Sequence, residues 1–241
     1  MARQKGILKI EGTIGGMTFY KSKDGHLIRE KGGVSADKIA NDPAFQRTRE
    51  NGREFGNAGT SGKVLRDTIR NLMMTASDGR VTSRLTKVMM GIIKEDTTSL
   101  RGDRNVGVGI TSPSGIALLK GFNFNITAIM GSILFKPYTL NPATGEIFIN
   151  GLVPINDIAF PAGATHVSFK SAFAIVDFAN GVSVVELSNP TNLPLDGTSS
   201  NLILAPVGIP STVGTSIYFI QIEFFQQVNG CLLYTSPSPR D

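Results

Sequence analysis

The sequence predicts an α+β protein, with an N-terminal β-meander and helical module followed by an antiparallel β-sandwich, immunoglobulin-like in general shape. Three observations carry this prediction. Asp24-Gly25 separates two short β-patterned runs, a helical period spans residues 42–94, and β-patterned runs return after Gly121. Turn signals at residues 161–163, 189–190, 196–197 and 208–210 punctuate that last region. A closed barrel is the other arrangement open to such strands.

In MTFYKSKDGHLIREKGG, residues 17–22 read as a strand, Lys23-Asp24-Gly25 as a turn and residues 26–31 as the returning strand. Asp-Gly supplies the positive φ that tight hairpins require. Upstream, GILKIEGT offers a further short strand joined through Gly15-Gly16, which completes a three-stranded meander.

Asn41 or Asp42 then caps a helix, with Pro43 in its first turn where a missing N–H is harmless. Phe45, Thr48, Gly52 and Phe55 fall along one face as core positions, and GNAGTSG is expected to break the helix. A second helix starts near Ser61 and carries Val64, Leu65, Ile69, Leu72 and Met73 inward. SDGR ends it, and a third helix runs through Val81, Leu85, Val88, Met89, Ile92 and Ile93. The methionines read as core filling.

The run TTSLRGDRNVGVGITSPSGIALLKG reads as a Gly-rich connection with a short helical turn over residues 114–120. Beyond it FNFN alternates, GSILFKPYTL is an apolar run, and NPATG turns into EIFIN. THVSFKSAFAIVDF and VSVVELS flank Ala179-Asn180-Gly181, with Val167, Phe169, Phe173 and Ile175 on one side of the first strand. In SIYFIQIEFFQQV, Tyr218, Ile220, Ile222 and Phe224 share one face, and Phe219, Gln221, Glu223 and Phe225 the other.

Charge divides the chain of 241 residues unevenly about its net +5. Residues 1–110 hold 20 Lys and Arg against 12 Asp and Glu, while residues 111–230 hold 3 against 6. That contrast predicts two modules, a basic one over 1–110 and a mildly acidic sandwich over 111–230. No apolar run approaches the roughly 18–20 residues of a membrane span, and no secretory signal opens the chain. The expectation is therefore no membrane partner and a cytoplasmic or virion location.

GNAGTSGK invites comparison with a phosphate-binding loop and fails it. Residue 57 is Asn where the first glycine should stand, and Val64 replaces the Mg²⁺-binding hydroxyl. His26 and His166 are the only histidines, in different modules and in no metal-ligand spacing. No nucleophile elbow accompanies either, so the chain is expected to be no enzyme and to need no cofactor. Arg-Gly-Asp at residues 101–103 reads as a chance tripeptide.

Arg47, Arg49, Arg53, Arg66, Arg70, Arg84 and Lys87, with Arg80 beside them, are the candidate contacts to nucleic-acid phosphates or to a protein partner. Glu50, Glu54, Asp67 and Asp78 interleave with them, which favours solvated i,i+4 pairs. Aromatic residues suited to base stacking are sparse there, Phe45 and Phe55 being better used as core.

The last stretch, CLLYTSPSPRD, contains the only cysteine, Cys231. It resembles one reading frame of the adaptor used in transposase-based DNA library preparation. Residues 231–241 are therefore expected to be a non-native tail, exposed and poorly packed. The runs GTIGGMTFYKSKDGHLIREKGG and IANDPAFQRTRENGREFGNAG, with LLKGFNFN, PAGATHVSF and IEFFQQVNG, resemble a family of unknown function from Bacteroidota genomes and their mobile elements. That resemblance covers nearly all of residues 1–230, supplies no mechanism, and implies a chain continuing past Gly230. A sandwich cut there would expose an edge that a further strand normally covers.

The function expected from these readings is that of a non-enzymatic structural or assembly protein, of a phage or another mobile element. It would act through protein–protein contacts, self-association foremost. The alternative is a nucleic-acid-associated protein binding phosphates through the basic helices of residues 42–94.

Overall fold

The computed structural model describes residues 2–30 and 32–236. Lys31, expected to end the second hairpin strand, lies outside them, as do residues 237–241 of the tail. The chain is mixed helix and strand with antiparallel sheets, and it divides into two compact units, Met1–Arg49 and Glu50–Asp241.

The first unit contains β1 (Ala2–Arg3), β2 (Gly12–Ile14), β3 (Met17–Ser22), β4 (Gly25–Glu30), helix α1 (Ala36–Asn41) and a 3-10 turn at Pro43–Phe45. Its sheet has the order β1-β4-β3-β2. The Asp24-Gly25 signal gives the expected hairpin, with Ser22 opposite Gly25 and Gly25 at φ 102°. Gly15-Gly16 likewise joins β2 to β3, with Ile14 opposite Met17. The upstream strand is displaced, because residues 6–9 join no strand and β2 starts only at Gly12. Asp42 caps the 3-10 turn as expected, its Oδ1 accepting from the Ala44 N–H at 2.9 Å.

The second unit holds most of α2 (Gln46–Thr68), then α3 (Arg70–Ala76), α4 (Val81–Lys94), α5 (Val106–Gly109), α6 (Pro113–Leu119) and α7 (Met130–Ile133). After these come β5 (Thr139–Leu140), β6 (Ile147–Leu152), α8 (Pro154–Asp157), β7 (His166–Asp177) and β8 (Val182–Leu187). The last strands are β9 (Thr191–Pro194), β10 (Ser200–Leu204), β11 (Thr215–Val228) and β12 (Cys231–Ser236).

The expected break at GNAGTSG does not occur, since α2 runs through it. Its buried face is Glu54, Ala58, Ser61, Gly62 and Leu65, mostly small residues that let the helix come close to α4. A Cβ on Gly62 would already touch Leu85 Cγ at 3.6 Å. The helix forms despite a propensity cost of about 1 kcal/mol per glycine. The same rotation leaves Phe55 61% exposed and puts Glu54 in the position expected for it. FNFN forms no strand either; Phe122 and Phe124 meet edge to face at 5.0 Å.

Two sheets face each other in this unit. The larger has the order β12-β11-β7-β8, with β9 also on β7, and the smaller β10-β6-β5. Val167 and Phe169 of β7 and Ile222 and Phe224 of β11 meet Ile147, Ile149, Leu202 and Leu204 of the smaller sheet. The alternate residues Ala172, Ala174 and Val176 meet Leu65, Ile69, Leu72, Leu85 and Met89 of the helices. The larger sheet is thus covered on both faces, and the layers run helix, sheet, sheet. This explains why β7 reads as a nearly continuous apolar run rather than an alternating one. Burying Phe169 or Phe224 fully contributes about 1.5–3 kcal/mol each.

A boundary near residue 110 is not where the contacts divide. Helices read from the basic half share a core with strands read from the acidic half, so the division falls at Arg49–Glu50. The described part of the tail is mostly exposed, as expected, yet it is ordered into β12, which pairs with residues 224–228 of β11. Asn229 and Gly230, at φ 51° and 83°, supply the two positive-φ residues of a tight hairpin, and Cys231 is exposed.

Candidate interaction groove

Strand β11 has one partnered edge and one that is largely open. The Ser188 N–H donates to the Ser171 carbonyl at 2.9 Å, so the odd-numbered residues of β7 turn their main-chain groups toward β8 and β9. The even-numbered residues therefore face β11, where Lys170, Ala172 and Ala174 lie opposite Gln221, Phe219 and Ile217. It follows that Ser216, Tyr218, Ile220 and Ile222 direct their N–H and C=O groups away from β7. Strand β12 takes the same edge only at residues 224–228. Among the described residues nothing pairs with the main chain of 216, 218, 220 or 222 on that side.

A cavity of about 870 Å³ runs along this open edge. Ile69, Leu72 and Met73 form one wall, Phe122, Phe124 and Met130 another, and Leu140 and Ile147 a third. Lys120 is the one charged residue among the described residues lining it. At about 3.4 Å per residue, residues 215–223 extend for roughly 30 Å.

The phenylalanine wall is fastened by Asp78, in the turn between α3 and α4, and by Arg84 of α4. Arg84 donates to the carbonyls of Asn123 at 2.7 Å and Phe124 at 3.2 Å, and its guanidinium lies 5.1 Å from the Phe122 ring centre. It also pairs with Asp78, whose carboxylate accepts the N–H groups of Ile126 at 2.8 Å and Arg80 at 2.6 Å. Burial would raise the Asp78 pKa, but these N–H groups and Arg84 together hold it below the ordinary aspartate range. Phe124 reaches the Phe219 ring of β11 at 5.9 Å, so the fastening sets the width of the groove.

Gln221 lines the groove and is 5% exposed. Its Nε2 donates to the Leu72 carbonyl at 3.1 Å and to Thr75 Oγ1 at 2.9 Å, while its Oε1 is buried with no hydrogen-bond partner. Two donor contacts on one side fix the amide orientation, leaving an unfilled acceptor in the wall. Thr75 Oγ1 donates onward to buried Glu223, which faces Lys170 Nζ at 3.4 Å.

Residues 95–115 are held by two buried carboxylates, Glu54 of α2 and Asp96 of the segment itself. Glu54 binds Arg104 in a two-point contact at 2.8 and 3.0 Å and accepts the Gly102 N–H at 2.8 Å. The Arg104 hydrogen bond is the chief reason the Glu54 pKa is lowered, against an opposing effect of burial. Burial would also raise Asp96, yet the N–H groups of Ser99 and Asn105 and the Thr98 hydroxyl hold it at about 2. The Gly-rich connection is therefore pinned, and Arg-Gly-Asp is engaged internally: Arg101 pairs with Glu50 and Asp103 with Arg53.

The basic candidates differ in their contacts among the described residues. Arg49 donates to the carbonyls of Ile39 and Asp42, Arg53 to Gly102, and Arg84 fastens the groove wall. Arg66 is half-buried, with Nη1 lacking a hydrogen-bond partner, and Arg47, Arg70 and Lys87 are exposed. Sequence reasoning placed Gln221 and Glu223 on one strand face but gave them no role. The available signal was two polar residues alternating inside the apolar run IYFIQIEFF. Neither family models, curated proteins nor solved structures give a match to this chain.

Proposed function

We propose that the chain is a non-enzymatic structural or assembly protein acting through protein–protein contacts, with the groove beside β11 as its contact site. The observation that carries this reading is the row of main-chain groups at Ser216, Tyr218, Ile220 and Ile222, unpartnered among the described residues, beside apolar walls. An open strand edge is a template for another chain, and proteins that do not use one blunt it with charge, proline or a cover. Here the edge carries neither proline nor lysine from residue 215 to 222. On this reading the facing sheets are a sandwich that presents its edge for recognition, as immunoglobulin-like domains present edges and loops. A phage or mobile-element setting, in the cytoplasm or a virion, accords with the sequence resemblance. No helix among the described residues is long and apolar enough to cross a membrane.

Light scattering across a concentration series tests the reading. The expected result is a mass rising above the 25.7 kDa of one chain as concentration increases. A mass fixed at one chain throughout the series would remove self-association as the function.

A further inference from the structure

We propose that the open edge of β11 receives residues 4–11 of a second copy of this chain as an added strand. The inference rests on the assembly reading above and names the occupant of that site. An edge of this kind is completed by an extended peptide, whose main chain gives affinity and whose alternate side chains enter the walls. The chain carries one segment suited to that role. Within residues 4–11, QKGILKIE, Gln4 alone bonds to a strand main chain, its N–H donating to the His26 carbonyl of β4 at 2.9 Å, and Ile7 and Leu8 are 102% and 86% exposed.

The segment is held as a loop by two side chains, Gln4 and Lys9, whose Nζ donates to the Gln4 and Gly6 carbonyls at 2.6 and 2.8 Å. Gln4 Oε1 accepts the Ile10 N–H at 2.9 Å and Gln4 Nε2 donates to the Ile10 carbonyl at 3.1 Å. The amide occupies the main-chain groups that a neighbouring strand would otherwise take. Opening the loop exchanges these exposed bonds for a ladder with Ser216, Tyr218, Ile220 and Ile222, and withdraws Ile7, Leu8 and Ile10 from water. The segment's length matches the open stretch, and its lysines can lay their stems on apolar surface while their ammonium groups stay in water.

Donor and acceptor are different surfaces, so the contact is head to tail and generates a ring or an open filament rather than a two-fold dimer. The test compares the full chain, an Ile7→Asp/Leu8→Asp variant and an Ile220→Pro variant by light scattering in a reducing buffer, with circular dichroism as a check on folding. Ile220→Pro removes an N–H on the open edge and leaves the β7 ladder intact. Each variant alone should associate at least tenfold more weakly than the parent chain, and an equimolar mixture should give dimers containing one of each. A synthetic peptide of residues 4–11 should dissolve the parent assembly. If the Ile7→Asp/Leu8→Asp variant assembles normally while Ile220→Pro does not, another strand fills the groove; this inference then falls and the assembly reading stands. Normal assembly of Ile220→Pro overturns the edge as the site, and a parent chain that stays monomeric overturns both readings.

Discussion

The two units put the same kind of hairpin signal to different uses. Residues 1–49 form a four-stranded sheet in which no described side chain is buried, and hold 10 Lys and Arg against 5 Asp and Glu. Residues 50–241 hold 14 of each and bury continuous cores on both faces of one sheet. A small sheet without a covered face is marginal by itself, whereas a sheet covered on both faces resists local opening. The comparison teaches that turn chemistry suffices to set register, while persistence comes from what covers the strands.

The sharpest way to break this comparison is to strain the second unit and watch the first. A Cβ on Gly109 would stand 2.0 Å from the Ile92 carbonyl oxygen, a contact with backbone that cannot yield cheaply. Gly109→Ala should lower the unfolding free energy of the second unit by about 3 kcal/mol or more in urea titrations. Amide exchange in the β3–β4 hairpin should stay unchanged. If the hairpin amides lose protection together with the core, the units are coupled and the contrast fails.

Acid should act next in size. Asp96 is lowered from its ordinary 3.8 to about 2, and Glu54 and Asp78 are lowered as well. A carboxyl depressed in the folded state stabilises fully above its unfolded pKa and loses that contribution as pH falls through its folded pKa. Asp96 therefore contributes up to about 2 kcal/mol that disappears between roughly pH 4 and pH 2. Urea midpoints of the second unit at pH 7, 4 and 2 should record the loss, and Asp96→Asn should flatten its lower part. A midpoint independent of pH would contradict the buried-carboxylate account.

The smallest effect runs in the opposite direction. Gly59 lies inside α2 with open space where a Cβ would stand. Gly59→Ala should stabilise the second unit by about 0.5–1 kcal/mol, read as a raised thermal midpoint. A lowered midpoint would mean that residues 56–62 do interrupt the helix in solution.

Much of the fold was legible where local chemistry dictates structure. Asp24-Gly25, Gly15-Gly16, NPATG and Asn180-Gly181 all mark turns between paired strands, and the period through Val81, Leu85, Met89 and Ile92 marks α4. What failed depended on partners distant in sequence. GNAGTSG looks like a breaker unless a second helix makes small residues worth burying, and Phe55 looks inward unless Arg104 calls for Glu54. Charge asymmetry suggested a boundary at 110, but shared burial decides domains, and net charge does not report burial. The groove was half legible: the faces of β11 were read correctly, but which edge stays open depends on pairings no local pattern encodes.

The double covering of β7 also shapes how this protein can change over generations. Where a strand shows one face to solvent, every second position drifts freely, as in β10, where Asn201 and Ile203 are exposed between Ser200, Leu202 and Leu204. In β7 neither parity has that freedom, because a larger residue at Ala172 or Ala174 meets the helices and one at Ser171 or Phe173 meets the smaller sheet. Saturation mutagenesis should show a tolerance of period two along β10 and almost none along residues 167–174. The strand that joins the layers is the least free to vary, and sequence divergence will collect in the uncovered sheet of residues 1–49.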